Sequence, residues 1–184
     1  MSDRELIQEY ANGNLDAFHI FYGKYKDSLF TFIKNRSGND AEDIFQLAFI
    51  KFINAASNRK IENPKSYLFQ IAMNLIRNKQ RKTKVVSLSD NFDLPDVEQD
   101  EDDFPVTEIE VKESLQELAK IKPLLYEVLH LHIFEKMTFE EIGKMIRKNR
   151  DTAASRYRYA INFLKKKLRK DPAETHTQNM FLEA

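Results

Sequence analysis

The side chains that usually carry catalysis are sparse in this chain. It has no cysteine, which removes thiolate nucleophiles, thiolate zinc sites, iron–sulfur clusters and disulfides. Its four histidines stand at positions 19, 130, 132 and 176. His130 and His132 lie two apart, about 200° around a helical wheel, so they cannot share one metal ion. No Ser/His/Asp set, metal cluster or glycine-rich phosphate loop is present, and most of the spare carboxylates crowd into one stretch around Asp100-Glu101-Asp102-Asp103. No cofactor, metal or enzymatic activity is expected. What the chain offers instead is cations and amides. From Lys144 to Lys170 there are eleven Lys and Arg and a single acid, Asp151. Gln70, Asn74, Arg77 and Arg81 recur at steps of three and four, on one side of a helix. Guanidinium and amide groups in a row hydrogen-bond phosphates and base edges. The chemistry they point to is recognition of a polyanion, and the alternative reading is two ordinary solvated helix faces.

The elements that must position these groups are legible from charge and periodicity. The 29 Lys and Arg balance 29 Asp and Glu, so net charge names no partner. Its distribution is uneven: residues 1–82 carry +4, residues 83–111 carry −9 and residues 112–184 carry +5. Two basic modules therefore flank an acidic connector. That connector, residues 83–107, contains Asp90, Asp93, Asp96, Glu98, the Asp100–Asp103 run, Pro95 and Pro105, and no apolar period. Such a composition predicts a flexible linker; a second reading is an imitation of nucleic acid that occupies a basic groove. No stretch approaches the ~18 apolar residues of a membrane span, and the first residues carry no apolar run, so a cytoplasmic protein is expected.

Glycine occurs only four times and no alternating strand pattern is visible, so the prediction is all-α. Ser2 and Glu5 form a capping box for a helix to about Ala11. Phe18, Phe21, Tyr22, Tyr25, Leu29, Phe32 and Ile33 give a long helix from Leu15 to about Asn35. The next helix, Ala41 to about Ala56, is apolar on more than one side, with Asp43, Gln46 and Asn54 left as a narrow polar strip. A surface helix needs an apolar stripe of only ~100°, so this one is either central to its bundle or covered by a second protein. Asn63-Pro64 starts a helix to about Lys82, preceded by a basic loop over residues 55–65. After the connector come a helix through Val111, Leu115 and Leu118, ending before Pro123, and another over Leu124–Glu135. Finally, Thr138 and Glu141 form a capping box, Ile142, Met145 and Ile146 are apolar at helical spacing, and Asn149 caps a helix to about Arg169. That is helix, turn, helix, with the second helix suited to a DNA major groove.

These marks, taken in order, resemble the extracytoplasmic-function (group IV) sigma factors of the sigma-70 family. The resemblance spans about residues 3–170. It is carried by residues 5–25 (ELIQEYANGNLDAFHIFYGKY), by the acidic and glutamine motif Asp40 to Phe49, by Tyr67 to Asn74 with Arg81-Lys82, and by Thr138 to Gly143 with Thr152 to Ala160. It implies two helical domains, residues 1–82 (region 2) and 108–170 (region 4), with a linker at 83–107 that threads towards the RNA exit channel and a tail at 171–184. It implies that Asp40, Glu42, Asp43, Gln46, Phe49 and Ile50 contact core RNA polymerase, on the clamp helices of its largest subunit, with the flap as a second contact. Arg59, Lys60, Asn74, Arg77, Asn78, Arg81 and Lys82 would read and help melt the minus-ten element. Arg150, Asp151, Thr152, Ser155, Arg156, Arg158 and Tyr159 would read the minus-thirty-five element. A cognate anti-sigma factor is left open.

The chain departs from the family where Tyr67 replaces Trp, Ala153 replaces Val, Ala154 replaces a basic residue and Gly143 replaces Ala. Two other readings stand beside this one: a free-standing helix-turn-helix regulator that binds palindromic DNA as a dimer, and an adaptor that uses both bundles for protein contact.

Overall fold

The computed structural model describes residues 1–58, 60–83 and 107–169. The expected linker, apart from its flanks, and the expected tail with Met180-Phe181-Leu182 lie outside the described residues. Those described are all-α: α1 (Asp3–Ala11), α2 (Leu15–Ser37), a 3-10 turn (Gly38–Asp40), α3 (Ala41–Asn58), α4 (Pro64–Thr83), α5 (Glu108–Ile121), α6 (Pro123–Ile133), α7 (Phe139–Ile146) and α8 (Arg150–Leu168). Several helices begin where a side chain satisfies a free N–H group, whereas α6 starts on Pro123 with no side-chain cap. Capping boxes form at Ser2/Glu5 and Thr138/Glu141, and a third at Thr107/Glu110 starts α5 three residues ahead of the first expected apolar position. Asn63 Oδ1 accepts the Ser66 N–H at 3.1 Å at the head of α4.

The first four helices pack around aromatic rings. Phe21 of α2 stacks on Phe52 of α3, with centroids 5.0 Å apart, and Phe32, Phe69 and Ile33 are fully enclosed. The crossing of α1 over α2 is tied by Asp3, which accepts from Lys24 Nζ at 2.7 Å and from the Tyr25 hydroxyl. The last four helices close on smaller side chains: Leu118, Leu125, Val128, Leu131, Ile142, Ala153 and Ala160. The small residues on α8 let α7 and α6 approach closely.

The two groups share one continuous core. α5 and α6 pack on α2, and α7 packs on α4. Phe32 faces Tyr126 at 6.1 Å and His130 at 5.0 Å. Around these rings lies a polar seam. Glu127 of α6, with no exposed surface, accepts from Arg36 of α2 at 3.1 Å and from Arg77 of α4 at 2.8 Å. Asn35 donates to the Tyr126 hydroxyl at 2.8 Å, and Asn63 to Glu141 at 3.2 Å. Ser28 donates to the Glu135 carboxylate, and Lys65 Nζ to the Glu135 carbonyl. His130 is enclosed at this seam and the His132 Nδ1–H donates to the Met137 carbonyl at 2.9 Å, so both are packing histidines.

Two consequences are measurable. Glu127→Ala leaves the Arg36 guanidinium enclosed without its carboxylate, and the expected cost is ~3–5 kcal/mol in urea unfolding. Adding Arg36→Met should recover a large part of it; a cost below ~1 kcal/mol for the single change would remove the seam as a stabilising contact. The second concerns pH. Burial lowers the His130 pKa to about 3, so the ring is neutral near pH 7 and its 3.7 Å approach to Glu135 is not an ion pair there. In the unfolded chain the ring takes a proton near pH ~6.5, whereas the folded one does not. Stability therefore falls as pH drops from ~6.5 towards the folded value, by up to ~1.4 kcal/mol per unit. Glu135, whose pKa burial raises, acts in the opposite sense, favouring the fold on the acid side and losing that contribution as pH rises through its folded value. The expected result is a urea midpoint that declines between pH 7 and 5 in the native chain and is flatter in His130→Phe.

Candidate partner and nucleic-acid interfaces

On α3 the inward side is fixed by Ala41, Ile44, Ala48, Phe49 and Phe52, which recur at three- and four-residue steps and are buried. The opposite edge carries Glu42, Asp43, Gln46, Leu47 and Ile50, all exposed, with Leu47 at 41% and Ile50 at 53% of full exposure. The excess apolar surface read in the sequence thus resolves into a buried side and an open one. Of the six residues expected at a polymerase contact, Glu42, Asp43, Gln46 and Ile50 share this open edge. Asp40 sits at its head, paired with Lys79 Nζ at 3.0 Å. Phe49 points inward, its ring 4.8 Å from Tyr22 and 5.1 Å from Phe45, and serves as support for the edge. Tyr22 itself is exposed enough to extend the surface onto α2. Its aromatic type at a helical core spacing made it look like an interior residue.

The α4 face is split. Asn74, Asn78 and Arg81 are exposed, and Arg81 donates to the Asn78 side chain one turn away. Arg77, expected on the same face, is drawn to Glu127. Gln70 is partly buried. Lys60 is exposed in the preceding loop, 3.7 Å from Glu62, which also pairs with Arg4 at 2.9 Å. Arg59 lies outside the described residues, and so does the side chain of Lys82. Beside this face, between the ends of α2, α4 and α5, runs a cleft of about 1200 Å³.

In α7 and α8 the turn is tight. Arg147 ends α7 in the left-handed conformation at φ 57°, and the Lys148 N–H donates to the Gly143 carbonyl at 2.9 Å. A Cβ on Gly143 would meet the Lys148 carbonyl oxygen at 3.0 Å and Asn149 backbone atoms at 3.1 Å. Glycine here costs α7 ~1 kcal/mol of helix propensity, but it admits the turn. Asn149 Oδ1 accepts the Thr152 N–H at 2.7 Å and starts α8. Arg150, Asp151 and Arg158 are exposed on α8, while Thr152, Ser155 and Tyr159 are half-buried. Arg150 reaches Asp151 at 3.3 Å, and Arg158 donates to Ser155 Oγ at 3.2 Å. Arg156, expected among the DNA contacts, is only 6% exposed and lies inward instead. It stands three residues after Ala153 and four before Ala160, both fully buried, so helical spacing puts it on their side. The charge run concealed that periodicity.

The family model for sigma-70 region 2 matches residues 21–85, which include the open edge of α3 and the whole of α4. No curated protein sequence matches the chain. Among solved structures, a chain in the structure of CnrH in complex with the cytosolic domain of CnrY aligns at 18% identity. The alignment covers 89% of this chain and 94% of that one, at TM-score 0.59, and shows the same fold. A chain of the RsbN–BldN complex aligns at 16% identity over 87% of this chain and 97% of that one, at TM-score 0.37, too low to bear on the fold. The match to sigma-70 region 2 thus spans the helices that carry the α3 and α4 surfaces, and the likeness to the CnrH structure extends over the fold of both halves.

Proposed function

We propose that this chain is a sigma factor of the extracytoplasmic-function type, acting in the cytoplasm, binding core RNA polymerase through α3 and directing it to two-element promoters. The observation that carries this reading is the open edge of α3, where Glu42, Asp43 and Gln46 adjoin exposed Leu47 and Ile50 inside the region 2 match. An acidic and amide rim around an apolar centre is the make-up of a protein contact, since the apolar centre gives affinity and the rim fixes register. The clamp helices of the largest polymerase subunit are the proposed partner. Residues 1–82 and 108–170 act as the two DNA-reading modules.

The proposed division of labour follows from chemistry. Asn74, Asn78, Arg81 and Lys60, together with Arg59 and Lys82, offer amide and cationic donors to the bases and backbone of the melted minus-ten strand. Arg77 joins them once Glu127 releases it. α8 enters the major groove of the minus-thirty-five duplex through Arg150, Asp151, Thr152, Ser155, Arg158 and Tyr159, with the N-terminus of the helix towards phosphate. The factor contributes no bond-making group; it supplies address, and the polymerase supplies chemistry. Each module alone binds weakly, and attachment to polymerase at fixed spacing multiplies their affinities. The CnrH structure holds the cytosolic domain of a second protein, which supports a protein regulator of the anti-sigma class for this chain as well.

Two experiments test the reading. Asp43→Ala with Gln46→Ala should weaken capture of core polymerase by roughly tenfold or more, since rim and centre act together, and Ile50→Ser should do the same; unchanged capture would sink the α3 assignment. With core polymerase bound, Arg158→Ala should lower initiation from a two-element promoter and reduce the salt dependence of duplex binding by about one counterion. Tight binding of the free protein to palindromic duplex, without capture of polymerase, would favour the free-standing regulator.

A further inference from the structure

On the side of α8 that carries Asp151 and Arg158 lies a hollow of about 520 Å³. Three rings wall it. His132 stacks on Phe139 with centroids 4.2 Å apart, and Tyr157 closes on the pair at 4.8 and 5.5 Å. The hydrogen bond from His132 Nδ1–H to the Met137 carbonyl holds the first ring in place. Ala154, half-buried, completes the wall, and Arg150, Asp151 and Arg158 stand exposed at the rim. Arg150 and Arg158 are four residues before and after Ala154, ~6 Å to either side along the helix axis. An apolar hollow between two exposed cations matches a target that is apolar at its centre and anionic around it.

We propose that this hollow reads thymine in duplex DNA, with Ala154 as the specificity-determining residue that meets the C5-methyl group. The proposal rests on the reading of α8 as the helix that enters the major groove. There every base pair displays hydrogen-bonding groups, and thymine alone among the four bases adds an apolar one, its methyl. The side chain of Ala154 has nothing to donate or accept, so hydrogen bonding to a base edge is closed to it and contact with that methyl is open. A longer side chain at this position would fill the hollow. Alanine leaves it free, with the Phe139 and Tyr157 rings behind to cover the rest of the methyl surface. The rim suits the same target. Arg150 leans towards Asp151 at 3.3 Å and Arg158 donates to Ser155 Oγ at 3.2 Å; both guanidiniums are exposed and can turn to flanking phosphates.

The test removes the methyl group alone. Promoter fragments bound by the full chain on core polymerase are selected from a library randomised in the minus-thirty-five element, and each selected thymine is then replaced singly by deoxyuridine, which lacks only that methyl. One replacement should weaken binding by about fourfold, the transfer of one methyl-sized group out of water. In Ala154→Gly the same replacement should cost less than about twofold. Loss of helix propensity in that variant weakens both fragments alike and drops out of the comparison. Ala154→Lys, which fills the hollow, should move the selected base at that position away from thymine. Replacements that are all neutral, or one that costs as much in Ala154→Gly as in the native chain, overturn the proposal while leaving α8 a reader of duplex. A library that yields no preference in the minus-thirty-five element removes the reading of α8 and the proposal with it. Neutral replacements together with weaker capture of core polymerase by Ala154→Lys assign the hollow to a protein contact instead.

Discussion

The arrangement of the whole molecule depends on one carboxylate. Glu127 is withdrawn from water on the second helix of the C-terminal half and is held by two guanidiniums from the N-terminal half, Arg36 at 3.1 Å and Arg77 at 2.8 Å. A buried ion pair stabilises little relative to an apolar contact of equal volume, because desolvation of the charges offsets most of their attraction. What such a group does is penalise alternatives. Any other docking of the two halves parts Glu127 and Arg36, both buried here, from their charged partners, so the seam selects one arrangement among the many that apolar packing of Phe32 on Tyr126 would tolerate. Arg36 Nε finds no hydrogen-bond partner among the described residues, so the guanidinium is held at its Nη2, by Glu127.

Around that seam the molecule separates its surfaces by chemistry. The open edge of α3 is acidic and apolar, which suits a protein. The α4 face and the exposed side of α8 are amide-rich and cationic, which suits nucleic acid. The helices that carry these surfaces are rigid because their other sides are the core: Phe49 and Phe52 anchor α3, Phe69 and Ala72 anchor α4, Ala153 and Ala160 anchor α8. Recognition by side chains on helices needs no rearrangement of backbone, only access.

Most of the element boundaries were legible in the sequence because caps and periodicity act locally. The capping boxes at Ser2 and Thr138, the Asn63-Pro64 start and the Asn149 cap stand where hydrogen-bond chemistry puts them. The open edge of α3 was visible as an apolar excess, although only the structure separated Phe49, which supports it, from Leu47 and Ile50, which form it. What sequence could not give is the seam. Glu127 and His130 sit in a helix whose apolar residues run all round it, so no period marked them as interior, and their partners are some 50 to 100 positions away. The burial of Arg156 was hidden differently: it obeys the helical period of Ala153 and Ala160, but a run of basic residues invites reading every cation as surface. Arg77 was legible as a cation on the α4 face and illegible as a partner of Glu127.

Gly143 touches no proposed ligand, yet its missing side chain governs where α8 points. The Lys148 and Asn149 backbone lies 3.0–3.1 Å from where a Cβ would stand, so an added methyl group obliges that turn to give by a few tenths of an ångström just ahead of the following helix. α8 is 19 residues long, or ~28 Å at ~1.5 Å per residue. A tilt of ~10° about its base would carry Tyr159, ~14 Å along the helix, by ~2.4 Å, a large part of the ~3.4 Å step between neighbouring bases on one strand. A hydrogen atom in place of a methyl group can therefore set the angle at which α8 presents Arg150, Arg158 and Tyr159, and with it the spelling of any site proposed for them, from a position that meets no base.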